Sequence, residues 1–168
     1  MTTSLQTTIK ASLLAQFSNI LDLGTAKIPL TKDLSLTFSN GTGANKAQAV
    51  FADNRSLAAS ASEDLDLSGA LVDVYGNTIS FATIKAILVV ADSTNGSTLS
   101  IGGAATNAFV NWVANASDIV KIRSGGFLLL AAPDVTGYPV TAGTGDLLHI
   151  ANDDAGAGAI YDIMLIGE

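Results

Sequence analysis

Apolar residues spaced at a period of two, in short runs closed by glycine or asparagine turn signals, constrain this chain more than any other feature. Leu34, Leu36 and Phe38 alternate with Ser and Thr and stop at Asn40-Gly41-Thr42-Gly43. Alternation of that kind gives an extended strand one apolar face and one polar face. Gln48–Leu57, holding Val50 and Phe51, makes a second strand; Leu65, Leu67, Leu71 and Val74 follow, then a turn at Gly76-Asn77 and a strand over Thr78–Phe81. Ile84–Ala91 is almost continuously apolar and rich in β-branched residues, the pattern of a strand buried on both faces. Asn95-Gly96 reads as a two-residue hairpin turn with Thr98–Ile101 as the return strand. Ser124-Gly125-Gly126 separates Ile119–Arg123 from Phe127–Ala132, and the small loop Asn152–Gly158 joins Asp146–Ala151 to Ala159–Ile166. Roughly eight to ten short strands with regular turn signals predict an all-β protein, an antiparallel β-sandwich of jelly-roll-like type.

The first 31 residues stand apart. Ile9, Leu13, Leu14, Phe17, Ile20 and Leu21 fall at helical spacing, which allows an amphipathic helix over Ile9–Leu23. The Thr and Ser before it, and Gly24 and Pro29 after it, equally allow an extended arm ending in a short strand. Both readings stay open at this level. No Pro/Ser-rich linker divides the rest, so the expected organisation is an N-terminal arm or extension over 1–31 and one sandwich domain over 32–168. Met1 to Lys10 carries no positive cluster ahead of an apolar run, so no secretory signal is expected. The longest apolar runs, Ala86–Ala91 and Phe127–Ala132, are far shorter than a membrane span, so no membrane partner is expected.

Composition narrows the function classes. There are no cysteines, which removes disulfides, thiolate metal sites and cysteine nucleophiles. Fifteen acidic against eight basic residues leave a net charge of −7, the wrong sign for a phosphate-backbone binder; no nucleic-acid partner is expected. Hydrophobic residues are 48% of the chain and charged ones 14%, so it is expected to hide surface against copies of itself.

Catalytic constellations are hard to build. The one histidine, His149, lies inside a strand between Leu148 and Ile150, and no Gly-x-Ser-x-Gly turn exists to present a nucleophile. It reads as a strand residue facing solvent or a subunit contact. Glu63, Asp64 and Asp66 cluster, and Asp153-Asp154 lie in a Gly-rich loop, but neither matches a calcium loop with acids at alternate positions around a central glycine. In Asp64-Leu65-Asp66-Leu67 the acids read as the solvated face of a strand. Gly41-Thr42-Gly43, Gly143-Thr144-Gly145 and Gly156-Ala157-Gly158 complete neither a P-loop nor a dinucleotide fingerprint. Trp112 reads as core or interface rather than a sugar platform. The expectation is no enzyme, no catalytic residues, no metal ligands and no cofactor.

Four stretches are distinctive as a set: Phe-Ala-Asp-Asn-Arg-Ser-Leu-Ala-Ala-Ser-Ala-Ser-Glu-Asp-Leu-Asp-Leu-Ser-Gly at 51–69, Ile-Gly-Gly-Ala-Ala at 101–105, Ala-Pro-Asp-Val-Thr-Gly-Tyr-Pro-Val-Thr-Ala-Gly-Thr-Gly-Asp-Leu-Leu at 132–148, and Tyr-Asp-Ile-Met-Leu-Ile-Gly at 161–167. With them the chain, over roughly residues 34–167, resembles small proteins encoded among the head genes of tailed bacteriophages. Some of that group are similar to capsid cement, or decoration, proteins: jelly rolls that sit as trimers on the shell. The resemblance implies a virion protein assembled in the bacterial host cytoplasm, a homotrimer with the phage major capsid protein as partner. The alternative is a tail, baseplate or head-fibre component binding a receptor or glycan. A third reading is a carbohydrate-active enzyme, which would need two carboxylates facing each other across a groove.

Overall fold

A computed structural model describes residues 4–168, so residues 1–3 of the expected 1–31 extension lie outside the described residues. Fourteen strands follow one another: β1 (Thr7–Leu21), β2 (Gly24–Asn40), β3 (Lys46–Ala47), β4 (Ala49–Leu57), β5 (Ser62–Asp66), β6 (Leu71–Val72), β7 (Thr78–Ile79), β8 (Thr83–Ala91), β9 (Leu99–Gly102), β10 (Ile119–Ile122), β11 (Phe127–Ala131), β12 (Tyr138–Pro139), β13 (Leu147–Asn152) and β14 (Ala159–Gly167). The fold is all-β, with no helix among the described residues.

Two four-stranded antiparallel layers make the sandwich. One has the order β10-β9-β13-β5; the other has β11-β8-β14-β4, with β12 beside β8. The pairings nest: β4 with β14, β5 with β13, β8 with β11, and β9 with β10, every one antiparallel. The inner faces obey the two-residue period. Ile87, Val89 and Ala91 on β8 and Tyr161, Ile163 and Leu165 on β14 meet Leu99, Ile101, Leu148 and Ile150 of the opposite layer in one closed core.

Nesting overturns one local expectation. Asn95-Gly96 does not close a hairpin: β8 belongs to one layer and β9 to the other, so the turn carries the chain across the sandwich. The Asn95 amide instead brackets a strand, its Nδ2 donating to the Ile160 carbonyl at 2.8 Å and its Oδ1 accepting from the Ile160 N–H at 2.8 Å. Gly102 marks the point where β9 ends. Its φ is +98°, and a Cβ there would lie 2.5 Å from the Asp118 carbonyl oxygen, so no side chain fits.

Ile9–Leu23 is not a helix. Residues 7–21 and 24–40 form one long antiparallel hairpin, in register from Thr7↔Phe38 to Leu21↔Gly24. The helical spacing of Ile9, Leu13 and Phe17 is also a strand spacing once Ala11 and Ala15 are counted, because all five occupy alternate positions. The partner strand decides between the two periods. A helix over 9–23 would leave Ile28, Leu30, Leu34 and Leu36 with no neighbouring strand, whereas pairing satisfies the backbone of both segments. Pro29 is tolerated because β2 has no strand on its other side there.

The hairpin is rooted on the outer face of the β11-β8-β14-β4 layer. Phe38 is fully buried beside Ala47, Ala86 and Ile166, with Ile9, Leu36, Val50 and Ala131 packed around them. Beneath the root lies Lys85, whose side chain is 0% exposed. Its Nζ is 3.0 Å from Glu168 Oε1 and donates to the carbonyls of Asp134 at 2.8 Å and Val135 at 3.1 Å. The other Glu168 oxygen accepts from the Gly43 N–H at 2.7 Å, tying the loop after β2 to the same buried ion pair. Gly137, at φ +58°, lets the 133–137 loop close over Lys85; a Cβ would sit 2.8 Å from the Ile84 carbonyl.

Candidate interaction surface

Several titratable side chains in the sandwich pair with one another. Glu63 turns inward at the open side between β4 and β5, where its Oε1 accepts from the Tyr161 hydroxyl at 2.6 Å and its Oε2 accepts from Arg55 Nε at 2.8 Å and from Arg55 Nη2. Arg55 Nη1 reaches Asp53 at 2.8 Å. Burial pushes the Glu63 carboxyl up, and hydrogen bonds from Arg55 and Tyr161 outweigh it, leaving the pKa below its ordinary value. The Tyr161 phenol is held above its ordinary value, first by burial and then by its bond to Glu63.

The acids singled out in the sequence therefore diverge. Asp64 faces outward and its Oδ1 lies 2.7 Å from His149 Nδ1, across the β5–β13 pair. Asp66 Oδ1 accepts from the Ser68 N–H at 2.8 Å. Asp153 joins Lys121 at 2.8 Å and Ser100, and the Lys121 bond leads the causes that lower its pKa. Asp154 accepts from the Gly156 N–H at 2.7 Å inside the Gly156–Gly158 loop. No group of three or more His, Asp or Glu side chains among the described residues is arranged to hold a metal ion. Trp112 is half-buried against the core, its Nε1 donating to the Phe109 carbonyl at 2.9 Å.

What the surface does offer is apolar area. Directly paired residues of an antiparallel ribbon share a face. The Thr7↔Phe38 register therefore puts Ile9, Ala11, Leu13, Ala15 and Phe17 of β1 together with Ile28, Leu30, Leu34 and Leu36 of β2. The opposite face is more polar, carrying Thr8, Lys10, Ser12, Gln16 and Ser18 with Lys27, Thr31, Asp33 and Thr37, but exposed Leu14 and Ile20 lie on it too; there Ser12 donates to Asp33 at 2.6 Å. Only the root of the apolar face is covered. Leu13 is 73% exposed and Phe17 70%, with Ile28, Leu30 and Leu34 above half.

A second open face adjoins the root. On the outer side of the β11-β8-β14-β4 layer the register aligns Leu129, Leu88, Met164 and Ala52 in one row and Phe127, Val90, Asp162 and Asn54 in the next. Phe127 is 68% exposed there. The two-sided apolar character of Ile84–Ala91 is thus matched by cover on its inner face throughout, and on its outer face only near Ala86. A cleft of about 490 Å³ runs between this face and β1, bounded by Ile9, Leu88, Phe127, Leu129 and Met164. Sequence reasoning identified these strands but not the open faces; the signal was the apolar run at Phe127–Ala132, too continuous for a strand with one wet side.

Compared with known proteins, the chain matches no family model, no curated protein and no solved structure.

Proposed function

We propose that this chain is a virion structural protein: a phage capsid decoration, or cement, protein that binds the outer surface of the icosahedral shell as a homotrimer and reinforces it. The observation that carries the reading is the hairpin with its uncovered apolar face, rooted beside a second uncovered apolar face on the sandwich. Apolar area of this extent on a chain with 14% charged residues suits a protein that works as part of an assembly. The four nested antiparallel pairs support a jelly-roll winding, since they describe one long ribbon of strand pairs wrapped around a core. That is the architecture the sequence resemblance implies. The net charge of −7 would steer the protein towards basic loops of the major capsid protein more than it would set affinity. Three copies of one contact surface per trimer would add weak contacts into firm attachment.

One observation favours the alternative, a tail, baseplate or head-fibre component that binds a receptor or glycan. Tyr75 is 77% exposed in the turn between β6 and β7, next to exposed Val74.

Locating the labelled protein on intact particles separates the two. Label distributed over the head, with depleted heads losing DNA at lower temperature than complete ones, is the expected result. Label confined to the tail tip, or equal heat resistance of depleted heads, would overturn the cement reading.

A further inference from the structure

We infer that the free apolar face of the hairpin docks on the outer β11-β8-β14 face of a second copy of this chain, with Lys32 of one copy set against Asp162 of the next. The inference concerns the free protein and holds whether or not the particle surface is where it acts.

Four observations choose a second copy as the occupant. First, the contact already exists once in each chain: the same hairpin face, through Ile9, Leu36 and Phe38, packs on the same layer at Ala86 and Ile166. The exposed remainder of each face continues that contact in chemistry and spacing. Second, the hairpin is too long for its own root. About ten residue pairs beyond Ala11 project, ~33 Å at the usual rise per strand residue, close to the roughly 35 Å width of a sandwich this size. A projecting arm of that length spans a neighbour.

Third, every copy carries both halves of the contact. Two strands over that length give a footprint of ~330 Å² on each partner; one such contact falls short of the ~800 Å² per partner of a standard interface, so a stable assembly needs each copy to donate one arm and accept another. Donor and acceptor are different surfaces, so the contact is head-to-tail, the type that forms a ring where the rotation between copies closes, as in a cyclic trimer.

Fourth, the charges match. Lys32, opposite Leu13, is the single charged residue on the hairpin's apolar face, and Asp162 is the single charged residue on the outer face of β11, β8, β14 and β4. Neither has an ion-pair partner among the described residues; Asp162 accepts only from Asn54 Nδ2, at 2.7 Å.

The test is charge reversal read by light scattering of the purified protein at micromolar concentration, without shells. Wild type should be an oligomer. K32E and D162K should each weaken assembly about tenfold or more by setting like charges together, and the double reversal K32E/D162K should restore it. Far-UV CD keeps track of folding, which two exposed surface changes leave intact. The absence of cysteines allows a second, independent reading. When L30C and L129C proteins are mixed and oxidised, an L30C–L129C cross-link between chains is expected. A monomeric wild type, a double reversal that fails to recover the oligomer, or L30C cross-linking only to itself would overturn the inference; the last would mean that arms pair with arms. None of these outcomes depends on binding to shells, so failure here and failure of the cement reading remain distinguishable.

Discussion

The hairpin and the sandwich are written in the same two-residue alphabet, yet they end in opposite states. In the sandwich, Leu148 and Ile150 on β13 alternate with outward residues, and both are fully buried by the facing layer. In the hairpin, Leu13, Phe17 and Leu30 alternate just as regularly and stay in water. Alternation therefore specifies a face, not its cover. Cover comes from a second layer, and the chain supplies one for the sandwich but none for the projecting arm. Where the hairpin meets the sandwich, a buried ion pair and a small apolar cluster join the two regimes.

That junction should show the largest effect. Lys85→Ala would leave Glu168 and two loop carbonyls without their donor in a buried site, and should cost about 3–5 kcal/mol, read as a fall in denaturation midpoint. The Gly43 tie should loosen with it, seen as faster amide exchange around residues 41–46.

Identical substitutions then compare the regions directly. Leu148→Ala opens a cavity in the closed core and should cost about 2–5 kcal/mol. In the dissociated chain, Leu30→Ala should change stability by less than about 0.5 kcal/mol, since its side chain has little to lose. Equal costs in urea titrations would mean that the arm is covered within its own chain.

A smaller effect belongs to the Arg55–Glu63–Tyr161 group. Because Glu63 is more acidic folded than unfolded, its contribution is complete above the ordinary carboxylate value of 4.5 and is lost as pH falls through the lower folded value. Tyr161→Phe should cost about 1–2 kcal/mol at pH 7 and flatten that acid dependence. A wild-type stability indifferent to pH below 4.5 would contradict the assignment.

Removing the whole arm should also change the sandwich little. Replacing residues 13–32 with Asn-Gly keeps the rooted pairs Thr7↔Phe38 to Ser12↔Asp33 and closes them with a favoured two-residue turn. The sandwich should melt within a few degrees of wild type, a shift of about 1 kcal/mol or less, while binding to depleted shells weakens. Hydrogen exchange in the intact chain should show the same division, with arm amides exchanging well before those of β8 and β14.

How far each region was legible follows from where its determinants lie. Leu34–Phe38, Ile84–Ala91 and Ala159–Ile166 were readable as strands because side-chain alternation is a property of adjacent residues. The outward acids at Asp64 and Asp66 followed from the same rule. Glu63 escaped it: its role depends on Arg55 and on Tyr161, 98 positions away in sequence. Asn95-Gly96 misled for a related reason, because a turn signal says that the chain bends and not which layer it enters. Ile9–Leu23 was ambiguous because apolar residues four apart fit both periods.

By itself, then, the amino-acid order determined the all-β class and the positions of most sandwich strands, which rest on residue type and near neighbours. Tertiary structure alone decided the nesting of the strands, the choice of strand over helix at 7–21, and which apolar faces meet. Those outcomes depend on free energy gained between segments far apart in the chain. No local period records whether the partner for a face lies in the same chain, and for the arm the described residues contain none.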